Sequence, residues 1–192
     1  ISGGQASTPT LFYNNARRKV GLVGYWDTIA FDEVAGIKIK DKDSVQIMKD
    51  YMANGRFSRG AEVIANAGFA FVGNIDHSIK QLVNSEYDLF ITLPPMFDLA
   101  VMDRYFTYLP GWEIPKISSG YLTNAFGLIT DYLAEAFHYL FKNTNRYDYV
   151  NKHCKLGSSV KGRDEGAVKK TICAFLKILH PNTDPSPEEM NE

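Results

Sequence analysis

The chain has 192 residues, which at roughly 150 residues per domain is one domain with room for a small appendage. Its 21 Lys and Arg against 22 Asp and Glu give a formal net charge of −1, which excludes a strongly basic coat protein and an acidic tail protein and leaves a local basic patch open. With 45% hydrophobic and 22% charged residues it is composed like an ordinary globular domain, and no apolar run nears the ~20 residues of a membrane-spanning helix. Two cysteines, Cys154 and Cys173, make no disulfide framework and read as reduced thiols of a cytoplasmic protein. His153-Cys154 is too small a cluster for a zinc site. The chain opens on Ile1 rather than Met and shows no secretory leader, so it reads as a piece of a longer protein.

In chain order, residues 1–20 are polar, with Pro9, Asn14 and Asn15 ahead of Arg17, Arg18 and Lys19. They predict a loop and a short amphipathic segment. Thr28-Ile29-Ala30-Phe31 is a short apolar run closed by Asp32 and Glu33, the pattern of a buried strand. Residues 43–54 have helical spacing, with Val45, Met48 and Met52 on one face, Asp43 or Ser44 as cap and Gly55 at the end. Residues 56–68 predict a hairpin or loop. Phe69-Ala70-Phe71-Val72 predicts a second buried strand that delivers Gly73 and Asn74. Residues 93–95 read as a loop and 105–109 as a third strand, closed by Pro110 and Gly111.

From Ser118 the spacing turns helical. Leu122, Phe126, Ile129, Leu133, Phe137 and Leu140 recur at intervals of three and four, which predicts one long helix. A last helix starts near Arg163, buries Val168, Ile172, Phe175, Leu176 and Leu179, and stops at His180-Pro181. The tail from Asn182 onward reads as frayed. The expected architecture is an α/β block over 1–116 and a helical block over 117–192.

Two adjacent acids at the C-terminal end of an apolar strand suit nucleotide hydrolysis. Asp32 can hold Mg²⁺ through its waters, and Glu33 can orient and deprotonate the attacking water. The plain alternative is two solvated acids at a strand end. Asn74 follows Asp32 by 42 residues, room for one helix and a return to an adjacent strand. It brings an amide to the sheet end where open α/β sheets bind ligands, or it is a turn residue. Arg104 follows the run from Leu99 to Asp103 and can reach a neighbouring subunit's phosphate, or pair with Asp103 at the surface. Arg163 opens the last helix and can reach a γ-phosphate, or is an ordinary helix-start charge. Ser158-Ser159-Val160-Lys161 sets a serine near a lysine, but its glycine-rich polar surroundings read as a loop. Trp26 and Trp112 read as core or interface residues, and His77, His138 and His180 as structural.

The ordered set of strand-Asp-Glu, strand-Asn, Arg before a strand and Arg opening a helix resembles the AAA+ ATPases. On that resemblance Asp32 and Glu33 stand as the Walker B pair, Asn74 as sensor one, Arg104 as the arginine finger, Arg163 as sensor two and the helical block as the lid. More narrowly, Ser2-Gly3-Gly4-Gln5-Ala6-Ser7-Thr8, Val20-Gly21-Leu22-Val23-Gly24-Tyr25-Trp26-Asp27, Ala30-Phe31-Asp32-Glu33-Val34-Ala35-Gly36, Met48-Lys49-Asp50-Tyr51-Met52, Phe71-Val72-Gly73-Asn74 and Leu109-Pro110-Gly111-Trp112-Glu113-Ile114-Pro115-Lys116 are similar to the Lon-protease-like AAA+ proteins of bacterial BREX phage-defence systems, the BrxL family. The similarity runs to about residue 181.

The resemblance implies ATP and Mg²⁺ as cofactors, assembly into a hexameric ring or stacked rings, DNA in the pore, other BREX proteins as partners and no membrane. In DNA-translocating relatives of the class, a hairpin before sensor one faces the pore, which makes Arg56 and Arg59 nucleic-acid-binding candidates; the alternative is a solvated hairpin. Arg17, Arg18 and Lys19 form a second candidate that reads first as a solvated segment. No G-x-x-x-x-G-K-[ST] run occurs in the chain, and Ser2-Gly3-Gly4 lacks both the lysine and a preceding strand. The family places that phosphate loop upstream and a Ser–Lys protease domain downstream. The expected fold class is therefore α/β, a truncated AAA+ core lacking the P-loop strand and helix, with an open sheet edge, followed by a helical lid. The chain by itself is expected to be a poor ATPase.

Three functions fit: a DNA motor, a Lon-type serine protease fed by the same ATPase, and a non-enzymatic ring-forming module whose acids are structural.

Overall fold

Local signals in the first hundred residues build two small hairpins and one parallel strand pair. The computed structural model describes residues 1, 7–36, 42–75, 77–86, 88–90, 93–95, 97–186 and 188–189; the Ser2-Gly3-Gly4 string lies outside them. Ser7 caps a single helical turn, α1 (Thr8–Leu11), with its hydroxyl toward the Thr10 N–H and Pro9 in the first turn, where a missing N–H costs nothing. Strands β1 (Tyr13–Asn14) and β2 (Lys19–Val20) pair antiparallel. Their connecting turn is tied by the Arg17 N–H on the Asn14 side-chain carbonyl at 3.0 Å.

Strand β3 (Thr28–Phe31) forms where the short apolar run predicts it. Helix α2 (Lys42–Asn54) follows, and Gly55 ends it with φ 66° and its N–H on the Tyr51 carbonyl at 2.8 Å. The helix starts one residue before the expected cap. Asp43 lies in the first turn, and Ser44 turns inward to share a buried hydroxyl–hydroxyl hydrogen bond with Thr8. The buried stripe is Ser44, Met48 and Tyr51, with Val45 and Met52 half-buried at its margin. Strands β4 (Arg56–Ser58) and β5 (Glu62–Ile64) form the expected hairpin, Phe57 opposite Val63. Strand β6 (Gly68–Phe71) pairs parallel with β3, Ile29 opposite Phe69 and Phe31 opposite Phe71. A parallel pair needs a crossover, and α2 lies in it. On the other edge of β3 the Ile1 ammonium donates to the Ala30 carbonyl at 2.7 Å, and the Asp32 N–H donates to the Ile1 carbonyl at 2.8 Å.

Two short helices, α3 (Ile79–Val83) and α4 (Leu99–Met102), complete this part. Its core is aromatic. Phe12 meets Phe57 edge-on at 5.1 Å, Phe31 stacks on Phe71 at 5.1 Å, and Phe71 meets Phe97 edge-on at 5.2 Å. Each fully buried ring of this kind contributes about 2–3 kcal/mol by removing apolar area from water.

The structure divides into two compact units, Ile1–Arg104 and Tyr105–Glu192, so the division falls before the expected 116/117. Residues 105–109, expected as a third strand, form no strand. The second unit holds α5 (Thr130–Asn143), α6 (Tyr147–His153) and α7 (Arg163–Leu179). The long helix expected from Ser118 is shortened at its front: residues 122–129 are not helical, and only a 3₁₀ turn forms at Ser119–Tyr121. The Thr123 hydroxyl accepts the Ala125 N–H at 3.0 Å, a local bond that competes with the helix ladder. Phe126 lies fully exposed, so no packing drives helix formation there.

Helix α7 starts at Arg163 and stops before Pro181 as expected, but its buried side is Cys173 and Leu176 with Ile172, packed with Val150 and Cys154. Val168, Phe175 and Leu179, expected inside, are exposed. The tail is not frayed through Pro185. The buried Arg146 guanidinium pairs with Asp184 and donates to the carbonyls of His180 (2.8 Å) and Thr183 (2.7 Å). The Tyr149 hydroxyl donates to the Pro185 carbonyl at 2.7 Å. Residues 154–162, which include the Ser158–Lys161 string, connect α6 to α7 without helix or strand. No helix among the described residues is long and apolar enough to cross a membrane.

Candidate nucleotide site and basic hairpins

The parallel register of β3 and β6 sets Asp32 and Val72 level just beyond the paired segments, so both strands deliver their next residues at one end of the sheet. The Val72 N–H donates to the Phe31 carbonyl (2.8 Å), and the Val34 N–H donates to the Val72 carbonyl (3.0 Å). The two strand ends are therefore bonded together past the last ladder pair. Asp32 and Glu33 leave β3 here, and Gly73 and Asn74 leave β6; all four are exposed.

Glu33 stands in the left-handed region with φ 52°. That turn brings the Glu33 N–H to the Asp32 carboxylate at 3.0 Å. One carboxylate oxygen of Asp32 is thus oriented by backbone, and the Glu33 side chain is set off the strand line. Gly73 is required by proximity: a Cβ there would lie 2.8 Å from the Val34 side chain. Val34 is itself buried. The turn carrying Asn74 is therefore seated on the residue that follows Glu33.

This set can hold a hard divalent cation in the way Mg²⁺ is usually held, by one or two carboxylates with water and phosphate oxygens completing the shell. Asp32 is the ligand-type group, Glu33 a proton acceptor one residue away, and Asn74 an amide that can orient a water or a phosphate oxygen. The residues present fit the cation and the hydrolytic end of a nucleotide; the groups that cradle the remaining phosphates are not among them.

Arg104 is placed differently from the expectation drawn for it. It follows α4, and among the described residues no strand comes after it. Its half-buried guanidinium donates from Nε to the Lys49 carbonyl at 2.9 Å and from Nη1 to the Ala100 carbonyl. Lys49 also reaches the other end of α4. Its ammonium lies 2.7 Å from Asp98, and Asp98 caps α4 by accepting the Val101 N–H at 3.1 Å. The Lys49 ammonium holds the exposed Asp98 carboxyl below the ordinary carboxylate range. One residue of α2 therefore ties down both ends of α4, a role with no signal in the sequence beyond the Lys–Asp charge pair. Arg163 is the first residue of α7, in the second unit, after Gly162 at φ 63°.

Arg56 is exposed on β4 and lies 3.7 Å from Glu62 on β5. Arg59 sits in the hairpin turn and donates from Nη1 to the Tyr13 carbonyl at 2.8 Å. Arg17 and Arg18 occupy the β1–β2 turn and Lys19 starts β2; all three are exposed.

The family described as Lon-like protease BrxL-like, ATPase domain, matches residues 1–192. The chain belongs to that BrxL ATPase-domain family. It is 49% identical over 191 residues to the Lon-like protease BrxL of Escherichia coli O9:H4 (strain HS), covering 99% of this chain and 27% of that protein. It is 48% identical over 195 residues to the Lon-like protease BrxL of Bacillus cereus (strain H3081.97), covering 100% of this chain and 29% of the relative. The chain thus spans between a quarter and a third of the length of the BrxL proteins it matches. The mixed helix-and-strand architecture is consistent with the α/β class expected for such an ATPase domain, and the family implies nucleotide binding.

Proposed function

We propose that this chain is the hydrolytic portion of an ATP-driven motor that acts on DNA in bacterial phage defence of the BREX type. The observation that carries the reading is the in-register parallel pairing of β3 with β6, which sets Asp32, Glu33 and Asn74 at one end of one sheet. In this reading ATP supplies the phosphoanhydride bond that is cleaved. Asp32 would hold Mg²⁺ through water, the ion offsetting phosphate charge, and Glu33 takes the proton of the attacking water. Asn74 orients that water or the γ-phosphate.

Arg104 acts across a subunit junction on developing phosphate charge; Arg163 is the sensor-two candidate, and the helical second unit the lid candidate. The P-loop that cradles the other phosphates belongs to the rest of the protein, which makes this chain a truncated AAA+ core. The complete protein works in the cytoplasm as a homo-oligomeric ring, hexameric or stacked, with Arg56 and Arg59 toward DNA and other BREX proteins as partners.

The test is ATP turnover by the complete protein with and without duplex DNA. Turnover stimulated by DNA, and lowered at least ~100-fold by Glu33→Gln through loss of the general base, is the expected result. Unchanged hydrolysis in Glu33→Gln would show the acids to be structural. A second reading follows from the printed name of both relatives, Lon-like protease: the same core feeds polypeptide to a Ser–Lys site outside this chain. ATP-dependent degradation of an unfolded protein, with turnover indifferent to DNA, would select it.

A further inference from the structure

We infer that the β1–β2 turn is a second DNA-contacting element, joined with the β4–β5 hairpin into one cationic face made of Arg17, Arg18, Lys19, Arg56 and Arg59. The inference rests on the DNA reading above. The sequence keeps the two basic segments about 40 residues apart; the fold brings them together. The Phe12 ring, just before β1, packs edge-on against Phe57 of β4 at 5.1 Å. Arg59 braces the two hairpins through its hydrogen bond to the Tyr13 carbonyl at 2.8 Å. The turns themselves meet: a Cβ on Gly60, whose φ is 75°, would lie 2.5 Å from the Asn15 side-chain oxygen.

The charge on this face is one-sided. Residues 13–20 and 56–64 hold five cations and one carboxylate, in a chain whose net charge is −1. That carboxylate, Glu62, lies 3.7 Å from Arg56. Charges on adjoining hairpins act together where they lie within the screening distance of about 8–10 Å at ordinary ionic strength. The β1–β2 turn also carries a strained cation. Arg18 stands at φ 49°, a conformation that costs an L-residue about 1–2 kcal/mol and that glycine adopts freely. An arginine at a position better suited to glycine is explained when its side chain is used. Exposed guanidinium and ammonium groups on a polar turn match sugar–phosphate backbone, the most polar and most anionic partner class, and read no base sequence.

The experiment measures binding of the complete protein to a mixed-sequence DNA duplex of about 30 base pairs by fluorescence anisotropy, across roughly 50–200 mM salt. Arg18→Gly should weaken binding several-fold at mid-range salt and lower the slope of log K against log[salt] by about 0.9, the value for one phosphate contact. Its unfolding midpoint should stay level or rise, because glycine suits that backbone. Glu62→Gln should tighten binding by freeing Arg56. If Arg18→Gly and Arg17→Ala bind with the wild-type slope while Arg56→Ala weakens binding, the inference is overturned and the DNA reading stands. If the wild type does not bind duplex DNA, both fall.

Discussion

Glu33 and Tyr51 are single residues held for opposite ends, the first proposed for chemistry and the second packed for stability. At φ 52° Glu33 gives up about 1 kcal/mol of backbone stability, and it holds the Asp32 carboxylate through its own N–H at 3.0 Å. Strain of this kind persists where the neighbours over-determine it, and the Val34–Val72 bond, one residue on, does so. Tyr51 has no such cost. It is buried against Phe57 and Phe69 and donates to the Ala67 carbonyl at 2.7 Å. Burial pushes its hydroxyl up from 10 to about 12, and burial does the same to Tyr105 in the second unit.

An unfolded tyrosine loses its proton near pH 10 and the folded ones near 12, so in that window the unfolded state binds fewer protons and is favoured as pH rises. Stability is therefore complete below pH 10 and declines from 10 to 12. Denaturant melts at a series of pH values should show this. Tyr51→Phe should flatten the decline in part, leaving the Tyr105 share, and should cost about 1 kcal/mol at neutral pH for the lost hydrogen bond. A full decline in Tyr51→Phe would assign the window to other groups.

Among elements, those whose signal is local and whose partner lies in the same unit were legible. Thr28–Phe31 and the Phe69–Phe71 run read as strands because each is a short apolar run stopped by a polar or glycine residue, and each has the other to pair with. Helix α2 and the β4–β5 hairpin were legible for the same reason. The stripe Leu122, Phe126 and Ile129 continues the spacing of α5, where Leu133 and Leu140 are half-buried, but its own three residues are strongly exposed, and spacing alone does not make a helix. Residues 105–109 read as a strand by composition and have no strand to bond to among the described residues. The role given to Asp32, Glu33 and Asn74 is the proposal made above; that they follow two strand ends was legible in sequence. The tie of α4 to Lys49 was not, because backbone carbonyls such as those of Lys49 and Ala100 leave no trace in residue type.

Gly73 tests whether the strand ends work as one element. Gly73→Ala must push Val34 aside to relieve a 2.8 Å contact. The expected cost is about 1–2 kcal/mol of stability, with a larger fractional loss in kcat than in KM, since the shift separates Asn74 from Glu33 rather than removing a binding group. Equal, small changes in both constants would show the two turns to be independent.

On the scale of the whole molecule the proposed ring requires one chain to complete a site with another. Arg104 spends Nε and Nη1 on carbonyls of its own chain, which makes it a clamp of α4 on α2 before it is anything else. A clamp and a finger acting in trans differ in a way that mixing can read. A subunit with Arg104→Ala keeps its acids, and a subunit with Glu33→Gln keeps its arginine. Each variant of the complete protein should be nearly inactive as a homo-oligomer. Co-assembled at equal amounts, about a quarter of junctions would join an intact Glu33 to an intact neighbouring Arg104, and that share of hydrolysis should return if the arginine stabilises phosphate charge across the junction. If Arg104 serves only its own chain, no junction is repaired, because every subunit with an intact clamp lacks its acid. Assembly mass measured on the same mixture separates that result from a failure to form mixed rings, and the melting point of Arg104→Ala reports what the clamp contributes by itself.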